Sequence, residues 1–140
     1  MSNKDRTTKY PNGLKAFVVP RSTVEEINAA TDTTVIGTTS DRGDCGTTFL
    51  VNKTCVITLP AIAIGNTFTY VNNGEDGTVQ ISLDPNAVDG ISYLGSATDN
   101  KDLINTLATA KKGDYVTIAA LDQTVAWQVT ACSGVWAKEA

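Results

Sequence analysis

The sequence contains no histidine, and that absence removes more chemistry than any other feature of the chain. Ser-His-Asp and Cys-His catalysis need an imidazole base, and the commonest zinc and iron sites need imidazole ligands. Cysteine is scarce as well. Cys45, Cys55 and Cys132 are odd in number and lack CxxC spacing, which suits reduced thiols better than a disulfide framework and leaves a zinc cluster without a fourth ligand. A single Cys45–Cys55 bridge is the one pairing left open. Aromatic residues make up only 6% of the chain, giving few platforms for stacking sugars. A glycosidase needs just two carboxylates, at a separation that sequence does not reveal. No long apolar run occurs: the weakly polar stretch 55–64 is interrupted by Thr58 and Pro60 and is about half the length that crosses a bilayer. Basic clusters are missing too, and a net charge of −4 with a pI near 4.6 repels a phosphate backbone. These absences argue against an enzyme, a cofactor, a metal, a nucleic-acid partner and a membrane span. Residues 1–6 carry charge with no apolar segment behind them, so they do not read as a signal peptide, and synthesis in the cytoplasm is expected.

Three short motifs invite a functional reading and do not sustain it. Segment 84–90 begins like a calcium loop, but Val88 occupies the fifth position, the glycine comes one place late and no glutamate stands at the twelfth. An Asx-capped turn explains it better. Arg42-Gly43-Asp44 matches the tripeptide read by integrins, yet a three-residue match arises easily by chance and a charged glycine turn suffices. The glycines nowhere form a phosphate-cradling loop that opens a helix.

The residues that are present describe strands. At 140 residues the chain fits one domain, or one domain with an extended arm, and can bury a core without disulfides. Threonine, a residue of strands and polar surfaces, is frequent. Residues 1–46 hold few periodic apolar segments, with hydrophobicity confined to 14–19 and to Val35-Ile36, and read as an N-terminal arm. Its one helix candidate starts at Ser22 or Thr23, turns through Glu25, Glu26 and Ile27 and ends by Thr31 to Thr34, so that a helix there is brief or absent. From residue 47 to 140 short β-branched runs alternate with turn residues, as in a sandwich or barrel.

Segments 48–51 and 54–59 look like a hairpin joined by Asn52-Lys53, and Pro60 closes the second. Further strands are expected at 67–71, at 78–83 with Val79, Ile81 and Leu83 on one face, at 91–94, at 115–120, at 125–130 and at 134–137. Segment 102–110 is compatible with a two-turn helix or an irregular edge. The expected fold is all-β: an antiparallel sandwich or jelly-roll-like barrel of seven or eight strands with an extended N-terminal arm, and with no visible internal repeat. Phe68, Trp127 and Trp136 are the expected core anchors.

Leu59-Pro60, Gly65, Phe68, Asn72 with Gly74, the Val79/Ile81 strand, Lys112-Gly113-Asp114, Trp127 and Gly134-x-Trp136 follow one another in that order. This ordered set resembles small β-domains of tailed-phage virions, including head decoration proteins and the tips of tail appendages. The early Tyr10-Pro11-Asn12-Gly13 is similar to the opening of phage decoration proteins. The resemblance implies a capsid cement protein on the virion exterior that bridges neighbouring copies of the major capsid protein, arranged as a homotrimer. The arm would order on its neighbour at an entropic cost, with Tyr10, Leu14, Phe17, Val18 and Val19 as candidate capsid contacts. The loops 73–77 and 84–90 would face outward. A receptor-binding tail tip, or a carbohydrate-binding module marked by an exposed tryptophan beside paired carboxylates, is the rival expectation.

Overall fold

The computed structural model describes residues 24–28, 33–34, 46–62, 64–121 and 125–140, and the account below concerns these. They form two packed mixed sheets, and the protein is an all-β sandwich. The front sheet has the order β1-β3-β5-β9-β10-β7, built from β1 (Val24–Ile27), β3 (Thr48–Val51), β5 (Thr67–Asn72), β9 (Tyr115–Ala119), β10 (Ala126–Ser133) and β7 (Gly90–Ser92). The back sheet runs β11-β8-β6-β4-β2, from β11 (Trp136–Lys138), β8 (Leu103–Asn105), β6 (Ile81–Asp84), β4 (Cys55–Thr58) and β2 (Thr33–Thr34). No α-helix occurs among the described residues. Segment 102–110 resolves into β8 followed by a single 3₁₀ turn, Leu107–Thr109.

The strands were expected to pair antiparallel, and this is corrected: five of the described strand pairs are parallel and four antiparallel. From β1 to β6 the chain alternates between sheets, so that β1, β3 and β5 stack in parallel at the front and β2, β4 and β6 stack in parallel at the back. These are three coils of a flattened solenoid. The expected 48–59 hairpin is therefore absent. Asn52 and Lys53 carry the chain around a corner from β3 in the front sheet to β4 in the back. Beyond β6, antiparallel strands close the stack: β9 pairs with β5, and β8 with β6.

The corner explains why a two-residue link need not make a hairpin. Asn52 donates through its side chain to Asn28 Oδ1 at 2.9 Å, and Asn73 donates to Asn52 Oδ1 at 2.6 Å. Beneath this side-chain ladder the backbone continues the parallel pairing, Asn52 N–H to the Ile27 carbonyl and Asn73 N–H to the Val51 carbonyl, both 2.9 Å. The same polar residue at three successive corners satisfies backbone and side chain together. The internal repeat thus exists, carried by Asn28, Asn52 and Asn73.

Two further expectations concern the first 46 residues. Of the two alternatives for the helix candidate, absence holds at Glu25, Glu26 and Ile27, which belong to β1 and pair with Phe49, Leu50 and Val51. Strands β1 and β2 fall inside the span assigned to the arm, and they form an edge of each sheet. Residues 1–23 lie outside the described residues.

The core lies between the sheets because each strand alternates. In β5, Phe68, Tyr70 and Asn72 point inward while Thr67, Thr69 and Val71 face out, and β3 and β4 follow the same period of two. Phe49 stacks on Tyr70 in register, with ring centroids 5.2 Å apart, and Phe68 tilts against Trp127 at 5.6 Å. Phe68, Trp127 and Trp136 are all buried, as are Val79, Ile81 and Leu83.

Where the coils meet the closing strands, a buried polar network replaces hydrophobic packing. Asn105, fully buried, donates to Asp114 Oδ2 and to the Val135 carbonyl, each 3.0 Å, and accepts from Asn72 Nδ2 at 2.8 Å. Asn72 also donates to the Val79 carbonyl and accepts from Gly74 N–H, while Asp114 accepts from Lys111 N–H. Gly134 touches this network. Its φ is +94°, and a methyl group there would overlap the Asp114 carboxyl group.

Candidate interaction surfaces

Three loops gather at the near end of the front sheet, where β3, β5 and β10 begin. Backbone hydrogen bonds tie them to the strands and to one another: Gly65 N–H to Ala120, Gly90 N–H to Val125, and Ile62 N–H to the Asp89 carboxylate at 3.1 Å. Each loop then holds apolar side chains in solvent. Ile64, Val88, Leu121 and Val125 are 47, 67, 50 and 51% exposed. Among the described residues of segments 59–66, 85–89 and 120–125 the only charged side chain is Asp89, and it is buried. Isolated exposed aliphatics are ordinary, but four on interlinked loops, with no exposed charge among the described residues of those loops, make a patch of the kind that protein partners cover.

The far end of the sandwich is ionised. Lys111 pairs with Asp76 at 3.7 Å and Lys112 with Glu75 at 3.5 Å, all four well exposed. Gly77 N–H to the Ala110 carbonyl joins the two turns. Exposed pairs of this sort contribute little to stability and keep a surface hydrated. The loops 73–77 and 84–90 therefore lie at opposite ends of the molecule and cannot share one face. Segment 84–90 makes the expected Asx turn, with Asn86 Oδ1 accepting from Val88 N–H. No group of three metal-ligating side chains occurs among the described residues.

Between the ends, the outer face of the front sheet carries threonines in register. Thr48, Thr69 and Thr117 form a row across β3, β5 and β9, with Thr69 and Thr117 hydroxyls 2.9 Å apart, above a second row of Leu50, Val71 and Tyr115. Both tryptophans are inside, so neither offers a sugar platform. Tyr10, Leu14, Phe17, Val18 and Val19 lie outside the described residues, as do Cys45 and the Arg42-Gly43-Asp44 tripeptide.

No protein-family model and no curated protein sequence matches the chain.

Among the described residues the remaining chemistry lies in two thiols, a phenol and a half-buried lysine. Cys55 is buried, and that burial pushes its thiol up to about 11, which makes it inert. Cys132 is exposed on β10. Burial, and behind it the adjoining Cys132 sulfur, pushes the Tyr93 phenol up. Lys138 is pushed down by burial against the pull of Asp102 and Glu139, and it donates to the Ile91 and Lys101 carbonyls. These groups are dispersed and do not converge on a reacting centre. Sequence reasoning missed Ile64, Val88, Leu121 and Val125 as a surface because they come from three separate segments: Ile64 and Val125 border apolar runs that read as strand, and nothing local marks Val88 or Leu121.

Among the described residues, no helix is long and apolar enough to cross a membrane.

Proposed function

We propose that the chain is a structural virion protein of a tailed bacteriophage, a decoration protein that sits on the outside of the capsid and stabilises it by bridging copies of the major capsid protein. The observation that carries this reading is the polarity of the molecule. The apolar loops bearing Ile64, Val88, Leu121 and Val125 form the face to be covered, and the ionised turns around Glu75, Asp76, Lys111 and Lys112 form the face left in water. Covering the loops would remove aliphatic surface from solvent at roughly 25 cal/mol per Å² before association costs, without stripping water from any exposed charge among their described residues. The ordered motifs that resemble phage β-domains supply the identity of the shell. The reading does not require the threefold arrangement that the resemblance implies.

The test is co-sedimentation of the purified protein with DNA-filled phage heads that lack it. Saturable, stoichiometric binding that raises the melting temperature of the heads is expected, together with its loss in an Ile64→Asp, Leu121→Asp double variant. Charge reversal at Glu75 and Lys112 should leave binding intact. Contacts from the arm are tested by deleting residues 1–23, because deletion through residue 46 would also remove β1 and β2. Absence of binding to heads would sink the reading and put the receptor-binding tail tip in its place.

A further inference from the structure

Strand β10 is eight residues long, but β7 accompanies only its first part, pairing Gly90, Ile91 and Ser92 with Ala126, Trp127 and Gln128. From Thr130 to Ser133 the strand keeps β9 on one side and has no described strand on the other, and these four residues are exposed. Free edges are usually guarded by charged side chains, proline or a bulge; β10 has an irregularity between Val129 and Ala131, at the start of this stretch, and Ala131, Cys132 and Ser133 beyond it supply neither charge nor proline.

Next to this edge stands a turn at odds with its own residue. Tyr93 and Ser96 exchange backbone hydrogen bonds at 2.8 and 3.1 Å, closing a two-residue hairpin whose central residues, Leu94 and Gly95, have φ of +51° and +83°. Asn-Gly is the usual pair for such a turn, and a leucine there is strained. Leu94 is also 87% exposed, the most of any large hydrophobic side chain described. Strain and solvent exposure thus hold one apolar knob at a rigid turn. Beside it lies an open hollow of about 330 Å³ floored by Gln128, Val129, Thr130, Ala131 and Cys132. Its lining includes no charged residue, so two copies of a chain with net charge −4 can meet there without like charges in contact.

We infer that the free edge of β10 and the Leu94 turn form a self-association surface, on which a second copy of this chain pairs antiparallel along Thr130–Ser133 and seats its Leu94 in the hollow. A patch that carries knob, hollow and strand edge together is self-complementary under a two-fold axis, and strand addition extends both front sheets into one. The inference concerns this chain alone and does not rest on the shell reading: solution mass decides the first, and co-sedimentation with heads decides the second.

The experiment is the mass of the full chain by sedimentation equilibrium over a concentration series reaching roughly 100 μM. Twice the 14.8 kDa chain mass is expected. Leu94→Asn suits a positive φ, so it should fold with an unchanged or higher melting temperature while weakening association by roughly tenfold or more. Ala131→Lys guards the edge without touching the turn and should have the same effect on mass. A wild-type monomer throughout the series, a mass three times that of the chain, or two folded variants that still pair would each overturn the inference. Loss of binding to heads in Leu94→Asn with a monomeric wild type would assign the knob to the capsid instead.

Discussion

Replacing Asn105 by alanine removes three hydrogen bonds from the most enclosed polar site in the protein. Its amide donates to Asp114 and Val135 and accepts from Asn72, with no exposed surface. A net hydrogen bond contributes about 0.5–1.5 kcal/mol, and one to a charged group about 1.5–3. The sum for one charged and two neutral bonds is about 2.5–6 kcal/mol, toward the high side because alanine offers the stranded partners nothing in return. Two of the three partners retain a second bond, Asn72 to Val79 and Asp114 from Lys111, which keeps the loss finite. Against a total stability of about 5–15 kcal/mol that is a large fraction, with a fall in melting temperature on the order of 10 °C. Urea unfolding followed by tryptophan fluorescence is the assay, since Trp127 and Trp136 are both buried and report the core. Asn72→Ala and the double variant complete a cycle whose coupling should reach about 1 kcal/mol. A loss below about 1 kcal/mol for Asn105→Ala, or strict additivity with Asn72→Ala, would refute the claim that this network joins coils to closing strands.

Other substitutions isolate single causes. Gly134→Ala meets both a positive φ and the Asp114 carboxyl group, whereas Gly113→Ala meets a φ of +95° with open space, so chemical denaturation should show Gly113→Ala costing about 1–2 kcal/mol and Gly134→Ala clearly more. Equal losses would remove the steric argument. Asn52→Ala breaks the corner ladder on both sides and should destabilise the fold by about 1–2 kcal/mol in a urea melt, while Lys53→Ala, exposed at the same corner, should be near neutral. Cys55 is protonated in the folded state up to about 11 against 9.0 in the open chain, so its contribution is fully present below pH 9 and declines as pH rises toward 11, by at most about 1.4 kcal/mol per pH unit. Comparing the alkaline limb of wild type with that of Cys55→Ala measures it. In a Cys45→Ser, Leu94→Asn background, which leaves the β10 edge uncovered, Cys132 should react with a thiol reagent in the folded protein and Cys55 only on unfolding.

Strand positions and core were legible in the sequence, but sheet topology was not, and the corner at Asn52 shows why. Alternation places Phe49 and Val51 inward whether β3 continues into a hairpin or into a coil, because inward facing depends on the period of two and not on the partner. A two-residue link between β-branched runs has hairpin statistics in its favour. What decides otherwise is non-local: Asn28 and Asn73, 24 positions before Asn52 and 21 after it, stand ready to bond its side chain. The trace this leaves is an aliphatic-Asn pair ending each front strand, Ile27-Asn28 and Val51-Asn52, varied to Val71-Asn72-Asn73. Unequal spacing blurs it as a repeat.

The candidate surfaces were less legible for a related reason. Core residues announce themselves through periodicity, whereas a docking residue is defined by what surrounds it in space. Phe68, Trp127 and Trp136 could be named from hydrophobicity alone, and they are buried. Ile64, Val88, Leu121 and Val125 come from three separate loops and become a patch only after β5, β9, β10 and β7 set their ends side by side. Leu94 differs again, because its information lies in a conflict: the turn calls for asparagine and solvent calls for a polar group, yet the sequence keeps leucine. A local choice that opposes both backbone preference and solvation is where function outweighs stability, and Leu94→Asn measures that opposition directly. Relief of strain should raise stability by about 1 kcal/mol in urea while association weakens. If stability instead falls, the leucine contributes to the fold in a way its exposure does not show, and the case for a knob built to be covered fails.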